Sequence, residues 1–358
     1  MIENKNILFI ANGGKEWIGG LYYVKNIIYT LIRNNKINNS TKIYILAKEE
    51  NFSIFNSFLN YDNIEVIVYK DSSINAFLKK ITNKIFHKSL DLVLYDNAKK
   101  FNVHYIYPVS VYPYLFLEDK CVYWIPDFQH IHLPEMFSKE EIEWRNKIYK
   151  NMAKKHKNLI LSSKDAFNDY KSLYPNNVDG VNILSFESYI EDDLNGVDDD
   201  FIKNTLDKFN ISNEFVFLPN QFWKHKNHIT AFKAIDYVVN KKGKQVYMVC
   251  TGNTNDYRNK EHFNSLLNFI KNNKLENNIK ILGFISRKEQ LALMSASNVV
   301  IQPSLFEGWG TVVEDAKALD KKIIMSDINV HLEQKNEKCI LFSREDYSEL
   351  GDIIYNLL

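Results

Sequence analysis

Residues 298–327 read NVVIQPSLFEGWGTVVEDAKALDKKIIMSD, and their order of residue types suits a phosphate ligand. An apolar run ends at Pro303-Ser304, a glycine-rich turn follows at Glu307-Gly308-Trp309-Gly310, and a helix is expected to open near Thr311. Glycines let backbone N–H groups approach a ligand closely, and a helix N-terminus adds partial positive charge suited to a diphosphate. Glu307 stands on the turn, where a carboxylate can accept hydrogen bonds from sugar hydroxyls. On the helix, Val312, Ala316 and Leu319 recur at helical spacing and are expected to face a sheet. Asp315 borders that stripe near the first turn. Glu314 is expected to point outward, toward Lys317 and Ala318.

Two further segments join a strand to a helix through a polar loop. ANGGKEWIGGLYYVKNIIYTL carries the glycine pairs Gly13-Gly14 and Gly19-Gly20 between the first strand and the first helix. LPNQFWKHKNHITAFKAI passes from a strand through a basic loop containing Lys224 and Lys226 into another helix. Metal chemistry finds little footing. The Asp-x-Asp match, Asp198-Asp199-Asp200, lies in an acidic stretch read as solvated linker, and no His/Cys cluster has zinc spacing. No cofactor and no metal are expected, and activity is expected to survive EDTA.

The elements that must position these residues alternate, short β-branched and aromatic runs with longer stretches of helical period, as in βα units around a parallel sheet. Strands are expected at Asn6–Ala11, Lys42–Ala47, Ile64–Tyr69, Asp91–Tyr95, Cys121–Ile125, Asn158–Ser162 and Val181–Ser185. After Phe186 the period breaks at ESYIEDDLNGVDDD, and residues 188–211 read as a linker. A second series follows at Phe215–Leu218, Gln245–Thr251, Ile279–Phe284, Asn298–Gln302, Lys322–Ser326 and Cys339–Phe342. The reading is an α/β chain of two Rossmann-like domains, residues 1–187 and 212–358, with ligands at the strands' carboxyl ends and the active site in a cleft between them. The amphipathic final segment, REDYSELGDIIYNLL, is expected to be helical and to pack on the second domain or to cross back to the first.

Composition narrows the function classes. The 358 residues are 45 % hydrophobic and 25 % charged, as in ordinary globular proteins, and are long enough for two cores. A formal net charge of +1 supplies no basic field for nucleic acid. Cys121, Cys250 and Cys339 sit singly in apolar runs and read as free buried thiols of a reducing compartment. The opening MIENKNILFIANGG fits neither a signal peptide nor a membrane span, so a cytoplasmic protein is expected, with attachment to the inner face of a membrane left open.

The stretch around Glu307 resembles the hallmark of retaining family-four glycosyltransferases of the GT-B fold, in which an acid on the loop is followed, after seven intervening residues, by an acid on the helix; here these are Glu307 and Asp315. The resemblance implies that Glu307 contacts the donor sugar and that Asp315, or Glu314 in its stead, holds the ribose hydroxyls. It also implies a diphosphate-binding loop whose lysine is Lys226. Gln221 stands where relatives often have an arginine, and Lys224 is a candidate for the missing charge. The glycines Gly13, Gly14, Gly19 and Gly20 are implied to bring amides to the donor phosphates or the acceptor. Phe284 and Ile285, with Gly308, Trp309, Gly310 and Thr311, complete the implied donor-binding set. YWIPDFQHIHLPEMFS resembles the loop that overhangs the donor sugar, with Asp127 and either His130 or His132 as its functional members. SDINVHLEQ, residues 326–334, also resembles a family segment, without an assigned chemical role.

What the resemblance implies is a metal-independent hexosyltransferase acting with retention. It would take its sugar from a nucleotide diphosphate donor and deliver it to a glycan or lipid-linked glycan acceptor, in bacterial surface polysaccharide synthesis. Lys226, the turn amides and the helix dipole would stabilise the departing diphosphate, with Glu307 and a histidine orienting the sugar. The alternatives are an epimerase- or phosphorylase-type enzyme on the same fold, or a catalytically silent donor-binding partner subunit.

One segment points elsewhere. In INAFLKKITNKIFHKSL, residues 74–90, Ile74, Phe77, Leu78, Ile81 and Ile85 share one helical face, with Lys79, Lys80, Lys84 and Lys88 toward the other. The preferred expectation is a helix packed on its own sheet with solvated lysines. The alternative is peripheral contact with an anionic membrane.

Overall fold

The computed structural model describes residues 4–11, 13–14, 18–37, 40–256 and 258–358. The chain divides into two compact units, residues 1–128 with 139–187, and residues 129–138 with 188–358.

The first unit is built on strands β1 (Asn6–Ile10), β2 (Lys42–Lys48), β3 (Ile64–Tyr69), β4 (Tyr105–Val109), β5 (Cys121–Ile125), β6 (Leu159–Leu161) and β7 (Asn182–Ile183). They form one parallel sheet in the order β3-β2-β1-β4-β5-β6-β7. The second unit holds β8 (Phe215–Leu218), β9 (Tyr247–Cys250), β10 (Ile279–Ile281), β11 (Val299–Gln302), β12 (Ile323–Ser326) and β13 (Cys339–Phe342), parallel in the order β10-β9-β8-β11-β12-β13. Strands buried on both faces need unbroken apolar runs, and β8, β11 and β12 are buried along their whole length. In each sheet the strand order reverses direction beside the first strand, between β1 and β4 and between β8 and β11. Such switch points open crevices at the strands' carboxyl ends.

Two expectations are corrected and one open alternative is decided. The run Asp91–Tyr95 is not a strand but the start of helix Leu92–Lys100, because the Asp91 carboxylate caps it by accepting the Leu94 amide at 3.1 Å. The strand that fills the place is β4, whose Pro108 argues against a central strand; the register between β4 and β5 shifts between Ile106 and Val109, around the residue that has no N–H to give. The acidic stretch read as linker contains helix Asp199–Lys208, started by the Asp198 side chain accepting the Phe201 amide at 2.8 Å. The final helix, Tyr347–Leu357, stays with the second unit: Leu350 and Ile354 enter the core formed by Ala231, Ala234 and Val238.

Helix Ser73–Phe86 departs further from expectation. Its buried residues are the polar Asn75 and Thr82, whereas Ile74, Phe77 and Ile85 are 68 %, 62 % and 63 % exposed. The packing of the apolar face on its own sheet is therefore overturned, because polar bonds seat the helix instead. Asn75 donates to Asp91 Oδ1 at 3.1 Å and accepts the Leu92 amide at 2.9 Å, and Thr82 Oγ1 accepts the Leu90 amide at 2.9 Å.

All three cysteines are free and buried. Among the described residues no helix is long and apolar enough to cross a membrane.

Candidate active site

The carboxyl ends of β8 and β11 carry the residues that the sequence singled out in the second unit. Beyond β8 the chain turns through Lys224–Lys226 into helix His228–Asp236; beyond β11 it turns through Glu307–Gly310 into helix Thr311–Ala318. Backbone and side-chain bonds pin the two turns together. Leu305 N donates to His225 O at 2.8 Å, and Asn227 Nδ2 donates to Pro303 O at 3.1 Å and to Arg344 O at 3.0 Å. Asn227 holds this position with φ 56°, a left-handed conformation that asparagine tolerates better than most residues.

The consequence is a close pair: Lys226 Nζ lies 2.6 Å from Glu307 Oε1. Gln302 Nε2 and Ser304 Oγ donate to the same oxygen at 2.8 Å and 2.6 Å. Asn220 Nδ2 in turn donates to Gln302 Oε1 at 2.8 Å, so a buried amide relay crosses the switch point from the β8 end to the β11 end. Three donors converge on Oε1 and hold the side chain in one pose, while among the described residues no hydrogen bond reaches Oε2. A carboxylate fixed through one oxygen can offer the other to hydroxyl groups of a ligand. An ammonium has three protons, so Lys226 can serve an anionic ligand while keeping its bond to Glu307.

Behind Glu307 lies His331, fully buried, whose Nδ1 stands 2.9 Å from Ser326 O. A carbonyl only accepts, so Nδ1 carries the proton. Burial pushes the His331 pKa down to about 4, against the opposing pull of the Glu307 charge. Ser326 Oγ donates to Ser304 O at 2.5 Å, which ties β12, the strand that ends at this histidine's partner, to the turn that orients Glu307. His331 belongs to the 326–334 segment that carried no assigned role, and Gln302 and Ser304 were passed over. The available signal was a polar pair closing an otherwise apolar strand.

The helix after the glycine turn is set by Gln334. Its side-chain amide donates to Gly310 O at 3.0 Å and accepts the Gly310 amide at 3.2 Å, and Nε2 also reaches Glu314 Oε1 at 2.8 Å. Glu314, expected to face outward, is buried beneath helix Asn329–Gln334 and also paired with Lys317 at 3.0 Å. Ala316 is fully buried in the core as expected, and Val312 and Leu319 pack against it partly buried. Val313 is a second fully buried member, so the core face of that helix is wider than the expected stripe. Asp315 is buried and takes two parallel bonds from Arg287, at 2.6 Å and 2.7 Å. Both acids considered for ribose thus already have cationic partners. Thr311 opens the helix as expected, and Gly308 and Trp309 are half-buried on the turn.

A second cation stands by the Lys226 loop. The Arg258 guanidinium packs between the Trp223 and Phe137 rings, 5.0 Å and 5.1 Å from their centroids, with Nη2 3.5 Å from His225 Nδ1. Burial, together with Lys226 and Arg258, pushes the His225 pKa well down, leaving a neutral ring able to accept from the guanidinium. Gln221 is half-buried and Lys224 exposed. Phe284 projects into solvent and Ile285 is half-buried, beyond β10.

His130 and His132 are grouped with the second unit; His130 is buried beside Phe137, and His132 is exposed with its ring 5.2 Å from that of Phe306. Asp127 belongs to the first unit, where its charge acts on Arg145 and Tyr149. In that unit Gly13 and Gly14 follow β1, and Gly19 and Gly20 open helix Gly19–Arg33; Asn12 and Lys15–Trp17 of this loop lie outside the described residues. No group of three or more His, Cys, Asp or Glu able to hold a metal ion occurs among the described residues.

Gly252 guards the relay from beneath. Its φ is 140°, and a Cβ there would lie 2.2 Å from Asn220 O and 2.8 Å from Gln221 N. Gly252→Ala is expected to cost about 2–5 kcal/mol, from backbone strain and displacement of Asn220. A denaturation midpoint equal to wild type would show that the two loops do not meet so closely.

Comparison with known proteins places these elements in context. The family described as glycosyl transferases group 1 matches residues 199–358. The O-antigen biosynthesis glycosyltransferase WclY of Escherichia coli is 29 % identical over 129 residues, covering 36 % of this chain and 34 % of that protein. The chain thus spans about a third of the length of the curated relatives it matches. A glycosyltransferase from Rickettsia africae ESF-5 superposes with a TM-score of 0.69 at 16 % identity, over 99 % of this chain and 88 % of that one. Anabaena Alr3699/HepE, solved in complex with UDP and glucose, superposes with a TM-score of 0.64 at 17 % identity, over 98 % and 89 % of the two chains.

Proposed function

We propose that this chain, which has the GT-B fold and belongs through residues 199–358 to the glycosyl transferases group 1 family, transfers a hexose from a nucleotide diphosphate sugar to a glycan or lipid-linked glycan. The reaction proceeds with retention and without a metal, in bacterial surface polysaccharide synthesis. The observation that carries the reading is the 2.6 Å pair of Lys226 and Glu307 at a sheet switch point, beside a glycine turn and a helix N-terminus.

Lys226 and the amides opening helix Thr311–Ala318 stabilise the charge that grows on the departing diphosphate. Glu307, fixed through Oε1, turns Oε2 to the hydroxyls of the sugar ring and holds it in the reactive pose. As the bond between the anomeric carbon and the diphosphate breaks, the released phosphate oxygen takes the proton of the acceptor hydroxyl, and the acceptor oxygen bonds to the anomeric carbon on the same face. Asp127 and His130 or His132 serve the sugar and acceptor side, and the ribose falls to Asp315 with Arg287 across it. The glycines Gly13, Gly14, Gly19 and Gly20 bring amides toward phosphate or acceptor. Support for a nucleotide-sugar donor comes from HepE, whose structure holds UDP and glucose.

The deciding experiment is a thermal-shift screen of nucleotide diphosphates and their sugars, followed by an acceptor-dependent assay of nucleotide diphosphate release with and without EDTA. One base is expected to raise the melting temperature, since a ligand at about 100 times its Kd stabilises the native state by about 2.7 kcal/mol. Release should require acceptor and survive chelation. No shift with any nucleotide would overturn the donor reading; a shift without turnover on any acceptor would favour a silent binding subunit.

A further inference from the structure

We propose that helix Ser73–Phe86 is an interfacial anchor that lays its apolar stripe on an anionic lipid bilayer. The inference stands apart from the donor reading, since it rests on the first unit alone.

At about 100° per residue, Ile74, Phe77, Ile81 and Ile85 fall within an arc of roughly 80°. All four are exposed, and Phe86 at the end of the helix is 59 % exposed as well. Scattered surface hydrophobics need no explanation, but a continuous stripe along four turns does. Nothing in the fold obliges it: the helix is already seated by Asn75, Thr82 and Lys79, the last 2.6 Å from Asp91 Oδ2. Its ends are equally well formed, with Ser72 accepting the Asn75 amide at 3.1 Å and His87 closing the helix in a left-handed conformation at φ 51°. The stripe is thus held outward by a rigid, polar-backed helix.

Charge chooses the occupant. The helix sequence SINAFLKKITNKIF contains three lysines and no acid. Lys79 turns inward, while Lys80 and Lys84 are exposed along the flank of the stripe opposite Asn75 and Thr82. A surface that is apolar beneath and anionic at its rim satisfies both features at once, and a bilayer with acidic headgroups is such a surface. A second copy of the chain would bring lysines against lysines, and the helix offers no acid to offset them.

The test is co-sedimentation of the full chain with vesicles of phosphatidylcholine and phosphatidylglycerol in equal parts. Binding is expected, weakening with salt and falling sharply on pure phosphatidylcholine. The double variant Phe77→Ser/Ile81→Ser should bind about tenfold or more weakly, through loss of apolar burial. Lys80→Glu/Lys84→Glu should lose about tenfold or more on the mixed vesicles only. These side chains are exposed, so melting temperatures should stay near wild type; if the serine variant does not fold, the glutamate variant decides. Absence of sedimentation, or sedimentation indifferent to the lysine exchange, would overturn the proposal. So would concentration-dependent self-association that the serine variant abolishes, which would assign the stripe to a contact between copies.

Discussion

Glu307→Gln is expected to reduce acceptor-dependent release of nucleotide diphosphate by about a hundredfold to a thousandfold while the chain stays folded. Glutamine keeps the shape and retains a carbonyl oxygen to accept from Gln302 and Ser304, which stand 2.8 Å and 2.6 Å from Oε1. What it loses is the negative charge facing Lys226 and one of the two equivalent acceptors offered to the sugar. Lys226→Met should cost a similar factor, because the ammonium is the one charged group bonded to Glu307 among the described residues. The double variant should be little worse than either single one, since residues that act as a unit are strongly non-additive. Turnover at wild-type level in Glu307→Gln, with donor saturating, would remove the assignment. Strict additivity would separate the two residues into independent roles.

Acidification is expected to weaken the second unit well before its carboxylates titrate in bulk. Burial pushes His228 down to about 3, with His262 adding to the effect, and His331 down to about 4. Both start near 6.5 in the unfolded chain, so as pH falls below 6.5 the unfolded state takes up protons that the native state refuses. Stability is therefore full above that value, declines as pH falls, and stops declining on account of these groups only below about 4 for His331 and about 3 for His228. At pH 5 the two together cost about 4 kcal/mol, a large share of the 5–15 kcal/mol typical of a domain. His225 and His262, also shifted downward by burial first, act in the same direction. Urea denaturation at pH 7.5 and pH 5 measures the slope. His331→Asn keeps a donor near Ser326 O and should flatten it, whereas an unchanged slope in that variant would mean His331 is protonated without penalty.

Much of this architecture could be read from residue order, and what could not has identifiable causes. Strand Phe215–Leu218 emerges at its observed bounds because a strand buried on both faces leaves an uninterrupted apolar run. Glu307 and Lys226 were named together through the resemblance of their motifs. Their contact depends on Asn227 and His225, which bridge 76 and 80 positions of chain in a way no local pattern announces. Pro108 concealed β4, since the propensity argument has no access to the register shift that accommodates it. Glu314 was sent outward by helical geometry alone; Gln334, 20 residues away, covers it. The stripe on helix Ser73–Phe86 failed in the opposite sense, because periodicity identifies an apolar face but not whether the fold has a use for it.

The grouping of residues 129–138 with the second unit bears on how the protein can be dissected. The backbone changes unit after Phe128, after Ser138 and after Glu187, so a single cut at the last of these yields no pair of self-sufficient fragments. The shorter C-terminal piece would leave the Arg258 guanidinium without the Phe137 ring and Phe306 without His132. The N-terminal piece would carry ten residues whose partners had been left behind. A workable split would graft that decapeptide onto the C-terminal piece and close the gap between Phe128 and Lys139 with a short bridge.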